Sequence, residues 1–364
     1  MNKILYLSAV CLGLCFISCK KDKKELTPEE PTPTGPTYNV PTTYNFSVMS
    51  YSSQTMRMEM LDEMVNYMKT ARTPNTVLSA TTLKNMFSNS GSPFSNAALN
   101  TSGKQLESKF YALDVNIVKG YMDSIAAIST SSLNIYTSTT DNTKKYVLSK
   151  NGIDYTEMIE KLSMGAIFYY QAMETYICAN GVGAAVNNSN VTPREGTDME
   201  HHWDEGFGYL GVPVNFATNT SGVIFWGEYL DEVGLVLGNR STVMNAFIKG
   251  RAAISNQDYT TRDAQISIIN TEWEKLIAAS AIHELNGAKA NVTDNALRNH
   301  VLSEARGFIM CLKYKTAKVI TQSQIDNCIT IMGSNNNNIT LTAINQVIDE
   351  LANAYGMQSI KGSL

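Results

Sequence analysis

The sequence predicts an all-α protein made of two helical-bundle halves packed together. Three observations carry this. Five of the nine prolines (Pro28, Pro31, Pro33, Pro36 and Pro41) fall before residue 44, so the rest of the chain is almost free of the residue that breaks helices. Apolar residues recur at three- and four-residue spacing, as in Met56, Met60, Met64 and Tyr67, which is the period of one helix face. No run shows the two-residue alternation of a sheet.

Residues 1–18 read as a lipoprotein signal peptide. Lys3 supplies the positive start, and Ile4 to Ser18 is an apolar stretch too short to span a bilayer. Ser18-Cys19 closes it as a lipobox does, which makes Cys19 the lipidated first residue of the mature chain. Residues 19–43 form a tether. A charge cluster at 20–25 is followed by Pro, Thr and Gly, a composition that cannot bury a core and stays extended.

Residues 44–364 form the helical domain. Helices are predicted at 51–70, at 80–87 behind Ser79, at 99–128 with one break, and at 154–178. Others follow at 243–254, 264–285, 294–316 and 341–355, with a short one from Ser323. A short strand is expected at 223–225. The segments 88–96, 129–143, 180–198 and 333–338 are polar loops, and loops of this length are usually functional or mobile.

The net charge of -4 is mild, and no basic stripe lies beyond the tether, which argues against a nucleic-acid partner. After Cys19 the cysteines are Cys178, Cys311 and Cys328. Three thiols allow at most one intramolecular disulfide, and their spacing is not that of a zinc site. Their reading is as small buried hydrophobes.

The four histidines fall in two segments. One runs Glu200-His201-His202-Trp203-Asp204-Glu205-Gly206-Phe207-Gly208-Tyr209, and the other runs from His300 through Glu304 to Gly307-Phe308, with His283 upstream of it. Aligning Glu205 with Glu304 sets His201 opposite His300, so each copy carries His-x-x-x-Glu. Residues four apart share one helix face. Two such helices facing each other across a pseudo-two-fold would gather two imidazoles and two carboxylates, a known way of building a metal site in a bundle. His201, His202, Glu205, His300 and Glu304 are therefore the candidate ligands, for iron, zinc or manganese. His202 with Glu205, three apart, is the alternative pair on the first helix. Glu200, Asp204, Gln171 and His283 are candidates for the groups that orient the ligands. The same residues would equally serve as a buried polar lock between two helices.

His283-Glu284 is not a zinc-protease helix, because Gly287 stands where that motif needs its second His. Arg57 and Glu63 are read as an internal pair on the first helix. Phe225 to Tyr229 is read as an aromatic cluster lining a pocket or the core. Gly208, Gly211, Gly222 and Gly227 are read as turns around the first motif.

Several stretches resemble a domain-of-unknown-function family of Gram-negative envelope lipoproteins: Tyr44-Asn45-Phe46, Tyr51 to Arg57, Met164-Gly165-Ala166, the Glu200 to Tyr209 segment, and Ala246 to Arg251. That family is in turn similar to the imelysin-like proteins, all-helical double bundles with a Gly-x-His-x-x-Glu motif. His202-Trp203-Asp204-Glu205 matches the last four positions, while Glu200 replaces the Gly. The resemblance implies iron-related binding more than proteolysis, and it favours His202 as the partner of Glu205.

The expectation is a lipoprotein of the outer membrane, on its periplasmic side or at the cell surface. It would bind a metal, or a metal-containing ligand such as haem or a chelate, in iron acquisition and without catalysis. The alternatives are a metal-dependent peptidase of the imelysin type with Glu205 as general base, and a scaffold beside an outer-membrane transporter.

Overall fold

A computed structural model describes residues 37–364. The signal peptide, Cys19 and the tether up to residue 36 lie outside the described residues.

The chain folds as helix upon helix. The first part comprises α1 (Ser52–Lys69), α2 (Ala80–Ser88), α3 (Ala97–Thr101) and α4 (Val115–Ile128). A two-stranded antiparallel hairpin follows, β1 (Ile135–Thr137) and β2 (Lys145–Val147). Then come α5 (Tyr155–Ser163), α6 (Ala179–Val182), α7 (Asp198–Gly208), α8 (Trp226–Leu237) and α9 (Arg240–Ser255). The last are α10 (Tyr259–Ala290), α11 (Asn295–Cys311), α12 (Gln322–Met332) and α13 (Leu341–Ala354). No helix among the described residues is long and apolar enough to cross a membrane.

Several helix starts follow from residue type. Ser79, Asp154, Asp258, Asp294 and Thr340 each accept a backbone N–H from the first turn behind them. Thr197 with Glu200, and Thr321 with Gln324, form reciprocal capping boxes that satisfy two otherwise orphaned donors each.

α10, at 32 residues, is the axis of the body and packs against α8, α9, α11 and α13. From Leu276 to Ile282 every residue is buried, as expected of a helix surrounded on all sides. One apolar core runs from Tyr44 to Leu364, so the helices share a single interior. α5 does not stop at Ser163. It continues through π-helical stretches at Met164–Tyr169 and Ala172–Tyr176. Each wide turn takes in an extra residue and rotates the side chains that follow relative to an α register.

Some expectations are corrected. The single break expected in 99–128 is present but long: α3 and α4 are separated by residues 102–114, which carry two short 3-10 turns. No strand forms at 223–225. The strands lie instead at 135–137 and 145–147, partly in a segment expected to be loop, and at three residues each they are too short to reveal a period. α8 was not anticipated. Phe225 precedes it, Trp226 to Tyr229 form its first turn, and Gly227 is helical rather than a turn. A Cβ there would stand 2.1 Å from the Gly211 carbonyl, so close backbone approach explains this glycine. Arg57 and Glu63 do not pair. Arg57 donates to the Gln105 and Ser53 carbonyls, and Glu63 accepts from Ser95 and Asn96. Cys178, Cys311 and Cys328 are free thiols, the last two buried.

Candidate functional site

The two His-x-x-x-Glu segments lie on α7 and α11, and each forms its pair along the helix. His201 Nε2 is 3.7 Å from Glu205 Oε2, and His300 Nε2 is 3.0 Å from Glu304 Oε1. The two pairs do not meet. The helix that begins at α5 serves both: Lys161 near its start touches Glu304, and Tyr176 at its far end lies beside His202. Fifteen residues at about 1.5 Å rise hold these contacts roughly 20 Å apart. The two copies of His-x-x-x-Glu therefore do not face each other to form one site.

Most of the first motif holds the fold. Trp203 is fully buried and donates from Nε1 to the Phe247 carbonyl. It lies over Gly250, where a Cβ would stand 2.0 Å from the indole. Asp204 is buried and accepts from Tyr44 Oη (2.6 Å), Ser50 N (3.2 Å) and Arg251 Nε (3.0 Å). Burial raises the Asp204 pKa, against the pull of the Arg251 charge. Glu200 takes Arg251 Nη1 at 2.6 Å and caps the helix through Thr197. Glu200 and Asp204 therefore orient Arg251, not a histidine. His202 Nδ1 lies 2.6 Å from the Gly181 carbonyl, and His201 rather than His202 stands by Glu205. Gln54 Nε2 donates to Glu205 Oε1 at 2.7 Å, while Gln54 Oε1 and His201 Nδ1 are buried without hydrogen-bond partners.

The other expected neighbours are elsewhere. Gln171 donates to the Lys109 carbonyl. His283 is about one-third exposed, 3.5 Å from Glu232 on α8. Neither touches a candidate ligand among the contacts described.

The second motif is embedded in charge. His300 Nδ1 donates to Asp154 Oδ2 (3.0 Å), with Glu157 Oε1 at 3.7 Å. Its Nε2 faces Glu304, so both ring nitrogens meet carboxylates. Lys161 Nζ reaches Glu160 (2.7 Å), Glu304 (3.3 Å) and Glu157 (3.4 Å). Its stem lies on Gly307, where a Cβ would meet it at 2.5 Å. Tyr229 Oη donates to Glu304 (2.9 Å), and Arg72 Nη2 is 3.6 Å from Glu157.

Burial opposes charge on every one of these groups, and the neighbours decide the outcome. Glu157 is pushed up to about 7 by burial, which the Lys161 charge only partly offsets. Glu284 is likewise raised by burial and by Glu304. On Glu304, Lys161 and His300 outweigh burial and hold the carboxyl well below its usual range. On His300, Glu157 and the hydrogen bonds to Asp154 and Glu304 outweigh burial and raise the imidazole well above its ordinary value.

A pH dependence follows. The raised His300 adds stability that is complete below its unfolded pKa and is lost as pH rises through the folded value. Glu157 works in the same direction, because ionising it costs more in the fold than in the unfolded chain. Glu304 contributes above its unfolded pKa, and that contribution fades as pH falls through its folded value. The metal-free protein should therefore melt higher near pH 5.5 than near pH 8, and His300→Gln should shrink the difference. Scanning calorimetry at both pH values checks this. Equal melting temperatures in the parent would refute it.

Asp154, Glu157 and His300 are the one group of three metal-binding side chains among the described residues whose ligand atoms lie within 4.8 Å of one another. Asp154 and Glu157 were not among the sequence candidates. His300 also lines a cleft of about 690 Å³ between the segment after α1, the hairpin and α11.

Comparison with known proteins adds a family and no activity. No curated protein matches the chain, and no solved structure does. The family described as a domain of unknown function, DUF4856, matches residues 41–116 and 116–358, so the chain belongs to that family.

Proposed function

We propose that this chain is a non-catalytic binding protein of the outer membrane, held by lipid at Cys19, whose ligand is a metal ion or a metal-containing compound. The observation that carries the reading is the double membership of His300. It belongs both to the cluster with Asp154 and Glu157 and to the wall of an open cleft. An imidazole and two carboxylates suit iron, zinc or manganese. A bare cation would have to replace the proton on His300 and displace the Lys161 and Arg72 charges from Glu157. A metal already sheathed in a chelate must displace that proton as well, but it brings its own ligands and needs no carboxylate from Glu157.

Binding without turnover is favoured by the engagement of the groups that would do chemistry. Both nitrogens of His300 face carboxylates, which leaves no free general base there. Burial pushes the Cys328 thiol up to about 12 and Cys311 higher still, far from a reactive thiolate. Iron acquisition, beside an outer-membrane transporter, is the setting that the likeness to imelysin-like proteins suggests.

The His201–Glu205 pair is a second place for the ligand, favoured by the unpartnered His201 Nδ1 and Gln54 Oε1 beside it. One experiment addresses both. The full-length chain in detergent is incubated with iron, zinc or manganese, or with ferric citrate, desalted, and its metal content measured. About one metal per chain is expected, lost in His300→Ala and kept in Glu205→Gln. Loss in Glu205→Gln alone would move the site to α7, and no metal under any condition would end the metal reading.

A further inference from the structure

The cleft beside His300 has a property that a metal site does not need. Its lining includes Arg72, Lys144, Lys145, Tyr146 and His300, and no Asp or Glu. Such a wall stands out on a chain whose net charge is -4. The carboxylates beneath the floor already have cations: Lys161 bridges Glu157, Glu160 and Glu304, and Asp154 holds His300. Lys144 and Lys145 are exposed, and neither forms an ion pair among the described residues. The acid nearest in sequence, Asp141, spends one carboxylate oxygen on the backbone and side chain of Thr143 and offsets the Lys144 charge in part, leaving Lys145 without a nearby acid in sequence.

The walls are also built to hold still. The Tyr146 ring stacks on His300, with centroids 4.1 Å apart and planes 26° off parallel, and the Arg72 guanidinium stands 5.4 Å over the same ring. Arg72 Nη2 is buried and has no hydrogen-bond acceptor, its approach to Glu157 being long at 3.6 Å. The hairpin that carries the lysines is tied to the helix that carries His300 through one carboxylate. Asp294 accepts from Ser138 Oγ, Thr139 N and Thr140 N, and with its other oxygen caps α11 at Leu297 N. A site whose walls are fixed in advance has only the two lysine side chains left to order on binding.

We propose that this cleft binds a small polyanion, with one anionic group between Lys144 and Lys145 and another on Arg72. The cations stand on two walls, so a ligand with two or more carboxylate or phosphate groups fits better than a single anion. Arg72, with about a quarter of its side chain exposed, offers a charge-assisted bond from the part of the guanidinium that is not turned to Glu157. The two lysines, being exposed, contribute attraction that salt screens.

This reading is independent of metal and is tested without it. The full-length chain in detergent, passed over a chelating resin, is titrated calorimetrically with metal-free citrate, pyrophosphate and inorganic phosphate, in low salt and in 0.5 M NaCl. We expect one citrate or pyrophosphate per chain, with inorganic phosphate weaker and all binding weaker in high salt. Lys144→Gln with Lys145→Gln, on an exposed hairpin, should keep the helical circular dichroism and bind the polyanions about tenfold more weakly, roughly 1.4 kcal/mol. Arg72→Gln should weaken them further. No heat with any of the three anions overturns the proposal, and so does parent-like affinity in the double lysine variant.

Discussion

Lys161→Met is expected to destabilise the fold by about 3–5 kcal/mol at pH 8, the usual cost of removing one partner from a buried ion pair. Methionine keeps the stem that lies on Gly307 but removes the charge shared by Glu157, Glu160 and Glu304. Repulsion and lost solvation of these carboxylates, rather than lost packing, make up the effect. The cost should be smaller at pH 5, because Glu157, with its pKa near 7, is then already neutral. Adding Glu304→Gln should restore part of the loss. Urea denaturation of the single and double variants at both pH values measures this. A loss under about 1 kcal/mol at pH 8 would mean that water reaches the cluster and screens it as it does a surface pair.

Arg251→Met should cost a similar amount, about 3–5 kcal/mol, at the other end of the molecule. Arg251 is only 2 % exposed and is the cation for both Asp204 and Glu200. Its Nη2 also donates to the Val48 carbonyl, and Phe46 packs against its guanidinium face. The variant therefore loosens the 44–50 segment as well as α7 and α9. Amide exchange of Ser50, whose N–H is held by Asp204, should speed up more than exchange in α10. Asp204→Asn added to Arg251→Met removes the stranded charge and should recover part of the stability. Unchanged exchange at Ser50 would show that the segment is anchored by its aromatic contacts alone.

The helices were legible wherever a capping residue preceded a clear apolar face, as at Ser79 and Asp154. α8 was hidden because Gly227 and Gly234 lower its local preference, and the reason for Gly227 is a backbone contact with Gly211 that no local pattern reports. The His–Glu spacing correctly places each pair on one helix face. It says nothing about which helix lies opposite, and there the convergence of the two pairs was overestimated. Glu157, Glu160 and Lys161 did carry a signal. They interrupt a run that reads Met158, Ile159, Leu162 and Met164, all buried, and charges within so apolar a stretch must find partners inside. The cleft was not legible at all, because its walls come from segments near residues 72, 145 and 300 and meet only through the fold.

The helix that runs from Tyr155 to Tyr176 also sets a rule for how the family's chains can vary in length. Insertions are easily absorbed in surface segments such as 88–92 or 189–195, where the chain need only rejoin itself. Between Lys161 and Tyr176 a single added residue, unless a further wide turn took it in, would swing every later side chain by about 100° around the helix axis. It would turn Tyr176 away from His202 while leaving Lys161 beside Glu304. Related chains should therefore differ in length across this stretch only where a wide turn is gained or lost, even where the residues themselves have drifted.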